Sequence, residues 1–465
     1  MMLSARPLIG PPGIFRVWVG AFGVINPPVP RFTIDGTPAA TVGPAVFFEV
    51  RDKQRQAGSG NSPANHQGVF ELQSPGPGDH VVVVSLAGET SSVRLREMPA
   101  RVTEPFAGGF TMLLASCYYQ KNDKGALASL QSRLKSRPDM VLLAGDQVYL
   151  DLPLHEDLPG NEPALSRMLG DKYAKHWLSR EKQINGLDPL LQLAPTACIP
   201  DDHEYWNNAP HFSPWLPCTY TAQSRQMLAS AGRNLYEDFQ LGGDPASHQG
   251  AQRIEVDPLR MILLDTRSDR DPGGAYDGRY GLMSKATEDD LVQWQNDLLN
   301  DHSAGKLTIG VLAAGQTLFS KAPPWYSEWA DSDLQSYAQF GIILRVLRTV
   351  CEAGIPVVFL SGDVHYSTIS RATWTKTGQE CLFEVVSSPV CQIDGPPTKA
   401  DPPVTDLDAK RFQTKWVDHY SGNVVLTINF LRGGGSVDMN ITLYPLDGGH
   451  LSPRALETIR LTPRH

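Results

Sequence analysis

Short runs of apolar residues alternate along most of the chain with longer stretches in which apolar positions recur at helical spacing. The run that starts at Met140 and ends at Gly145 is too short for a helix with one exposed face, so it predicts a strand buried on both faces. Further strands are predicted at Phe110–Ala115, Thr196–Ile199, Arg260–Leu264, Leu307–Ala313, Val357–Leu360 and Leu382–Val386. Helices are predicted at Gly125–Leu134, Leu165–Trp177, Gln223–Phe239, Thr287–Leu299 with Thr287 as its cap, and Leu334–Ala353. This alternation indicates an α/β fold.

The first 105 residues follow a different pattern. Period-2 alternation between turn residues predicts strands at Arg16–Phe22, Ala45–Val50, Gly68–Leu72, His80–Leu86 and Val93–Met98. We therefore expect a small all-β, immunoglobulin-like sandwich domain over residues 1–105, a hinge at Glu104–Gly109, and a second domain over residues 106–465. Near the other end, Val424–Leu431 and Ser436–Leu443 flank a run of glycines and predict a hairpin.

Polar side chains follow the carboxyl ends of several predicted strands. They are Cys117, Asp146 and Tyr149, the turn Asp201–Glu204 with Asn208 behind it, Arg267 and Arg270, and Asp363 and His365. The carboxyl ends of parallel strands lie along one rim of a sheet, where ligands bind in open α/β folds. We therefore expect these residues to converge.

Each of these residues also has an ordinary structural interpretation. Cys117 is compatible with a small buried hydrophobe, and Asp201–Glu204 with a helix-capping turn. Arg267 and Arg270 are compatible with surface ion pairs, and His365 with a buried core histidine. Their joint occurrence at strand ends favours one functional site over several unrelated structural roles.

The chemistry of these side chains divides them between two metal positions. Cys117, Asp146, Tyr149 and His365 form a mixed sulfur, oxygen and nitrogen set suited to a transition metal, and a phenolate favours Fe³⁺. Asp202 and Asp363, with Asp146 bridging and Asn208 nearby, form an oxygen set. Hard ions such as Ca²⁺, Mg²⁺ or Mn²⁺ prefer that set.

Composition excludes several classes of protein. The 465 residues contain 41% hydrophobic and 20% charged positions, as expected for a globular protein of two domains. A net charge of −9 provides no positive field for nucleic acid, and no run of 18 apolar residues predicts a membrane span. The six scattered cysteines favour reduced thiols. The amino terminus lacks a signal peptide, so a cytoplasmic location is expected unless the true start lies upstream.

The ordered motifs Gly-Asp-x-x-Tyr, Asp-Asp-His-Glu-x-x-Asn-Asn, Leu-Asp-Thr-Arg-x-x-Arg and Gly-Asp-Val-His-x-Ser follow an upstream Ser-Cys. Together they resemble the alkaline phosphatase D family of calcineurin-like metallophosphoesterases. The resemblance implies a four-layer αββα catalytic domain, phosphomonoesterase or phosphodiesterase activity, and an iron plus calcium centre. The twin-arginine signal of many members is absent here, and His450–His465 is not obviously the helix that caps some members' sites.

The resemblance also implies roles for single residues. Cys117, Asp146, Tyr149 and His365 resemble the iron ligands, and Asp146, Asp202 and Asp363 the calcium side. His203 occupies the histidine position of the wider superfamily's Gly-Asn-His-Glu motif, where it stabilises the transition state or protonates the leaving oxygen. Gln316 falls where relatives often have a histidine ligand, and we expect it behind the ligands.

These observations lead to one main hypothesis and two weaker alternatives. A metal-bound hydroxide at a dinuclear centre attacks the phosphorus of a small phosphorylated substrate, His203 assists the leaving group, and Arg267 binds phosphate oxygens bidentately. A serine hydrolase is disfavoured because no Gly-x-Ser-x-Gly elbow is present. A non-catalytic carbohydrate- or protein-binding scaffold with a structural metal remains an alternative. The substrate and the oligomeric state are not predicted.

Overall fold

The computed structural model describes residues 1–43, 45–52, 64–153, 158–178, 186–242, 250–271, 281–319, 333–393, 411–446 and 452–464. Its strands are β1 Met2–Leu8, β2 Ile14–Val24, β3 Arg31–Ile34, β4 Thr37–Ala39, β5 Phe48–Glu49, β6 Ala64–Gln73, β7 His80–Leu86, β8 Glu89–Leu95, β9 Phe110–Ala115, β10 Met140–Ala144, β11 Thr196–Ile199, β12 Gln252–Val256, β13 Leu259–Leu263, β14 Ile309–Ala313, β15 Val357–Ser361, β16 Ser367–Trp374, β17 Gln379–Val386, β18 Phe412–Tyr420, β19 Val424–Arg432, β20 Val437–Pro445 and β21 Arg454–Leu461. The predicted strands after residue 105 and the carboxyl-terminal hairpin are confirmed, with small shifts at their ends.

The helices are α1 Ala126–Arg133, α2 Glu162–Trp177, α3 Asp188–Leu191, α4 Ala222–Tyr236, α5 Lys285–Ser303 and α6 Phe340–Glu352. The prediction of Thr287 as a cap is wrong. Ser284 caps α5 and accepts a hydrogen bond from the Thr287 backbone N–H, which places Thr287 one turn inside the helix. Across the described ranges, no helix combines the length and the apolar composition needed to cross a membrane.

Two sheets stack face to face between two layers of helices. The ten-stranded sheet has the order β21-β20-β19-β9-β10-β11-β1-β2-β6-β5, and the seven-stranded sheet has the order β12-β13-β14-β15-β17-β16-β18. Met112 and Leu142 of the first sheet share a buried cluster with Met261 and Val358 of the second. Side chains on the opposite faces of the two sheets pack against α1 to α4 and against α5 and α6, respectively. This arrangement is the predicted αββα fold.

Parallel strands in both sheets direct their carboxyl ends to one rim. In the first sheet, β10 lies parallel to β9 and β11, with Leu142 opposite Leu114 and Ala197. In the second sheet, β15 lies parallel to β14 and β17. Every residue of β9, β10, β11 and β15 is buried, as the uninterrupted apolar runs predict. Ligand-bearing loops follow these strands.

The amino-terminal sandwich shares a sheet with the rest of the chain. A separate four-stranded sheet of order β4-β3-β7-β8 packs on β1, β2 and β6 through a buried cluster that includes Val17, Phe32, Phe70 and Val82. The strand β1 pairs in parallel with β11, Leu8 opposite Thr196, so the sandwich continues the catalytic sheet. Sequence analysis did not detect β1. The boundary at residue 105 therefore stays a prediction, with one sheet running across it.

Candidate metal centre

The predicted ligands meet at the shared rim of the two sheets. Three sets of side chains have ligand atoms within 4.8 Å of one another, and Asp146 belongs to all three sets. They are Cys117 with Asp146 and His365, Asp146 with Asp202 and His203, and Asp146 with Asp201, Asp202 and Asp363. Asp146 is therefore the carboxylate around which the three sets are grouped. Two members were not predicted as ligands from the sequence: Asp201, and His203, which was predicted as a catalytic residue.

Five of the predicted ligands have an uncommon backbone conformation. Cys117, Asp146, Asn208, Asp363 and His365 have positive φ angles of 56°, 57°, 73°, 69° and 56°. A side chain beyond glycine in this region is strained, at a cost of roughly 1–3 kcal/mol each. Only three other non-glycine residues in the described ranges share it. Strain concentrated at one rim indicates that the loops are shaped for binding rather than for local stability.

Cys117 lies at the centre of the first set. Its Sγ accepts a hydrogen bond from Ser388 Oγ at 3.1 Å and lies 3.3 Å from Ser116 Oγ, which donates to the Ser387 carbonyl at 2.7 Å. The same sulfur lies 3.5 Å from Asp146 Oδ2. A hydroxyl donor stabilises a thiolate, which is the form that binds metals. Ser388 therefore prepares the sulfur to act as a ligand.

Tyr149 and His365 complete this set from two different sheets. Tyr149 follows β10, His365 follows β15, and the phenol oxygen lies 3.3 Å from His365 Nε2. The His365 backbone N–H donates to Ser388 Oγ at 3.0 Å, which fixes the loop that carries the imidazole. The structure thus brings together Cys117, Asp146, Tyr149 and His365, as the sequence predicts.

Burial makes this anionic set unfavourable without a cation. Burial, together with the charge of Asp363, raises the pKa of Cys117 to about 12. Burial and the charges of Cys117 and Asp202 raise the pKa of Asp146 well above its usual range. Burial likewise raises the pKa of Tyr149. A bound cation reverses this balance and deprotonates such ligands, so the donor set fits a metal.

Asn208 provides an independent sign of a cation on the oxygen side. Its backbone N–H donates to Asp202 Oδ2 at 2.7 Å, but its side-chain amide is buried, with neither atom in a hydrogen bond to the described residues. Buried amides without hydrogen-bond partners are rare, and an amide oxygen is a ligand for hard cations. Together with Asp202 and Asp363, Asn208 fits the all-oxygen position.

His203 lies beside the ligands and is oriented by a residue that sequence analysis missed. Its Nδ1 lies 2.7 Å from Asp151 Oδ1, and Asp151 Oδ2 accepts the Asn207 backbone N–H at 2.9 Å. Burial alone would raise the pKa of Asp151, but the charge and hydrogen bond of His203 lower it overall. The pairing leaves His203 Nε2 for other contacts. A signal was present, because Asp151 is in the same loop as Asp146 and Tyr149.

Glu204 joins two of the ligand loops. Its carboxylate accepts the backbone N–H groups of Asp146 at 3.0 Å, Gln147 at 2.7 Å and Asp201 at 2.8 Å. With Asp201 it forms a reciprocal capping box, so the capping interpretation of this turn is confirmed, and it is compatible with a functional role for the same residues. The turn is fully buried rather than solvated. Glu204 thereby fixes the conformation of the loop that carries Asp146.

The two arginines are buried and bound to protein groups. Arg267 donates to Asp201 Oδ1 from Nε at 2.8 Å and to the Ala209 carbonyl from Nη1 at 2.8 Å. Arg270 donates to Gln316 Oε1 at 2.7 Å, which places Gln316 behind the rim. The direct binding of phosphate by Arg267 stays a prediction, because in this structure its guanidinium holds Asp201.

Comparisons with known proteins show a family and a shared fold. A family model described as PhoD-like phosphatase matches residues 112–439, more than half of the chain. Among solved structures, "Structure of PhoD" has a TM-score of 0.63 at 14% identity, covering 97% of this chain and 91% of that chain, which shows a shared fold. A β-glucuronidase of Lactobacillus rhamnosus, at 9% identity over 74% of this chain and 59% of that chain, has a TM-score of 0.19, which is too low to indicate a shared fold. No curated protein matches.

Proposed function

The chain belongs to the PhoD-like phosphatase family, and from that premise we propose that it hydrolyses small organic phosphate esters at two cation positions that share Asp146. It is a hydrolase similar to alkaline phosphatase D. The observation that carries the proposal is the meeting of Cys117, Tyr149, His365 and the aspartates around Asp146. Monoesters, diesters or both are the proposed substrates.

We assign the cations by the chemistry of their ligands. Cys117, Asp146, Tyr149 and His365 fit Fe³⁺, whereas Asp146, Asp202, Asn208 and Asp363 fit Ca²⁺, with Mn²⁺, Mg²⁺ or Zn²⁺ as alternatives. Paired cations lower the pKa of bound water and neutralise charge on phosphoryl oxygens. The protein holds the ligands in place through strained loops that Glu204 and Ser388 fix.

His203 is the proposed proton donor. Hydrolysis forms one bond from phosphorus to a water oxygen, breaks the bond to the leaving oxygen, and requires a proton on that oxygen. The Asp151 carboxylate holds His203 Nδ1 at 2.7 Å, which orients Nε2 and favours the protonated imidazole. Arg267 supports this arrangement by keeping Asp201 at the rim.

Asp146→Asn is the sharpest single substitution for this proposal. Removing a carboxylate that belongs to every ligand set should lower kcat by more than about 100-fold, since even groups behind the ligands contribute about 10–100-fold. The fold should persist, because burial already raises the pKa of Asp146 and its charge opposes folding. Turnover of bis-p-nitrophenyl phosphate and p-nitrophenyl phosphate, with metal content and circular dichroism, measures both outcomes.

Asp171→Asn provides a control, because Asp171 is an exposed carboxylate on α2. It should leave turnover and metal content unchanged. Full activity of Asp146→Asn would remove the two-cation proposal. A wild-type protein that retains metal but hydrolyses neither ester would favour the non-catalytic scaffold.

A further inference from the structure

A cavity of about 370 Å³ lies beside the metal centre, between the loop that carries Asn208 and the helix α4. One wall is apolar and includes Trp206, Pro210, Ala222 and Ala229. The Trp206 indole N–H donates to a backbone carbonyl at 2.7 Å, which fixes the ring. Ligand pockets commonly measure about 300–1,000 Å³ and are mainly apolar with a few polar groups. This cavity has the size and wall of a site for an organic group.

The polar part of the wall is cationic. Arg225, Arg267 and Arg270 line the cavity, and no carboxylate is among its described lining residues. Arg267 is already paired with the buried Asp201, so among these described residues Arg225 provides the unpaired charge. Arg225 is half-buried, donates to the Thr219 carbonyl at 2.8 Å, and has no carboxylate partner in the described part of the chain. Ala222 and Arg225 belong to the first turn of α4, whose dipole also favours negative charge. The cavity therefore suits an anion.

The cavity and the metal centre share a wall. Arg267 lines the cavity, and its guanidinium binds Asp201, whose carboxylate belongs to the cluster around Asp146. Ala209 lines the cavity directly after Asn208 in the chain. The cavity therefore lies one side chain away from the ligand cluster, with Arg267 between the cavity and Asp201. The leaving group is the part of the substrate that extends away from the phosphorus.

A second cavity is a poor alternative for an anion. It measures about 380 Å³, but its lining includes Glu237, Asp265 and Asp269, against Arg233. Arg233 is already paired with Glu237 and Asp269. Its acidic wall would repel a second negative group. The difference in charge between the two linings favours the cavity beside Arg225 as the site for an anion.

We propose that the cavity of Trp206 and Arg225 binds the leaving group of the substrate, and that this group has a flat apolar body and a negative charge of its own. The proposal rests on the proposed function and deepens it, because it names the substrate class as phosphate esters of anionic aromatic or apolar alcohols. The apolar body lies against Pro210 and Ala229, which are partly exposed in front of the buried Trp206 ring, and Arg225 binds the charge. Arg225 acts as a specificity residue and has no part in the bond-breaking step.

A pair of matched substrates separates charge from size. 4-Carboxyphenyl phosphate carries the extra charge, and 4-carbamoylphenyl phosphate is its neutral counterpart of the same shape, whose stronger electron withdrawal makes it the intrinsically better leaving group and so works against the expected preference. The carboxylate should raise kcat/KM of the wild-type protein about tenfold over the amide, as expected for one hydrogen bond to a charged group. In Arg225→Gln this ratio should fall to about one, and Arg225→Lys should restore part of it.

Two further variants test the position of the cavity. Ala222→Trp places a large ring at the cavity wall from an exposed position, so it should lower kcat/KM for both aryl esters. Gln223→Ala is the matched control, because Gln223 is exposed on the same helix and is absent from the described cavity lining. It should leave both values and their ratio unchanged. Thermal melts of each variant establish that the fold is retained.

A binding experiment gives a readout that does not depend on turnover. Calorimetry with 4-hydroxybenzoate, the product alcohol, should show binding to the wild-type protein and at least about tenfold weaker binding to Arg225→Gln. Equal acid-to-amide ratios and equal 4-hydroxybenzoate affinities in wild type and Arg225→Gln would overturn the inference while the proposed function stands. Failure of the metal-loaded wild type to hydrolyse any ester would overturn the proposed function, and the inference with it.

Discussion

At the scale of single residues, the loops that carry the clustered side chains hold a backbone conformation that their residue types do not favour. Cys117 and His365 have positive φ angles of 56° although neither residue favours that region. No local pattern signals such a conformation, because it is imposed by contacts with distant loops. Glu204 illustrates the same limit, since its backbone partners belong to another strand end. The sequence predicts candidate ligands that the fold brings together, but it does not predict the contacts that support them.

At the residue scale, Asp151→Asn should reduce activity without removing a ligand. We expect kcat to fall at least about tenfold, because the amide no longer favours the protonated form of His203. The alkaline limb of the pH–rate profile, which reports loss of the proton from the donor, should move to lower pH. A profile that keeps its shape at reduced height would contradict the proton-donor role of His203.

The same substitution has a stability consequence of defined sign. The pKa of Asp151 is lowered in the folded protein, so its charge stabilises the fold above the unfolded pKa of about 3.9 and this contribution is lost as pH falls. Asp151→Asn should therefore be less stable than wild type at pH 7, with the difference shrinking below about pH 4. Urea unfolding of the wild type and Asp151→Asn, at pH 7 and below about pH 4, measures this difference in the free energy of unfolding.

At the scale of elements, uninterrupted apolar runs predicted strands correctly, whereas a strand with a charged residue inside its apolar run was missed. The runs of β9, β10 and β15 are buried on both faces, and no local signal competes with that pattern. The strand β1 was missed because Arg6 interrupts it. Arg6 is buried between the rings of Trp18 and Trp177 and donates to the Phe239 carbonyl. A charged residue near a terminus predicts exposure, and only tertiary contacts reverse that expectation.

Gly362 shows how closely the strand ends approach each other at the rim. A Cβ there would lie 2.3 Å from the Ala144 carbonyl oxygen and 2.3 Å from Ser116 Cβ. Gly362→Ala should therefore lower the free energy of unfolding by about 1–3 kcal/mol or more and also reduce metal content, because it separates the loops of three strands. Urea unfolding and elemental analysis measure both effects.

Gly341→Ala is the control for this change. Gly341 lies in α6, where an added Cβ meets nothing within 4 Å, so alanine should stabilise the helix by up to about 1 kcal/mol. Equal effects at the two glycines would show that the close approach at Gly362 has no energetic importance.

At the scale of the whole molecule, the amino-terminal sandwich belongs structurally to the catalytic sheet. The sheet continues from β11 into β1, and the side chain of Arg51 binds Glu237 and Asp238 directly after α4. Composition and turn signals predicted a sandwich, but pairing between distant strands is not encoded in local periodicity. The sandwich supports the strand that leads to Asp202 and His203.

A split of the chain tests this continuity. Residues 106–465 expressed alone should be insoluble or unfolded, because removing β1 exposes an edge of β11 and the apolar contacts around Trp18. Co-expression with residues 1–105 should restore solubility and hydrolysis of bis-p-nitrophenyl phosphate. A soluble fragment 106–465 with a cooperative melt and normal turnover would contradict this expectation.

The most direct test of the two-cation site is elemental analysis of the active protein combined with its visible absorption spectrum. We expect about two metal ions per chain, one of them iron, and an absorption band from phenolate or thiolate bound to Fe³⁺ that shifts in Tyr149→Phe. A colourless protein that hydrolyses phosphate esters at full rate with one metal ion or none would contradict the account.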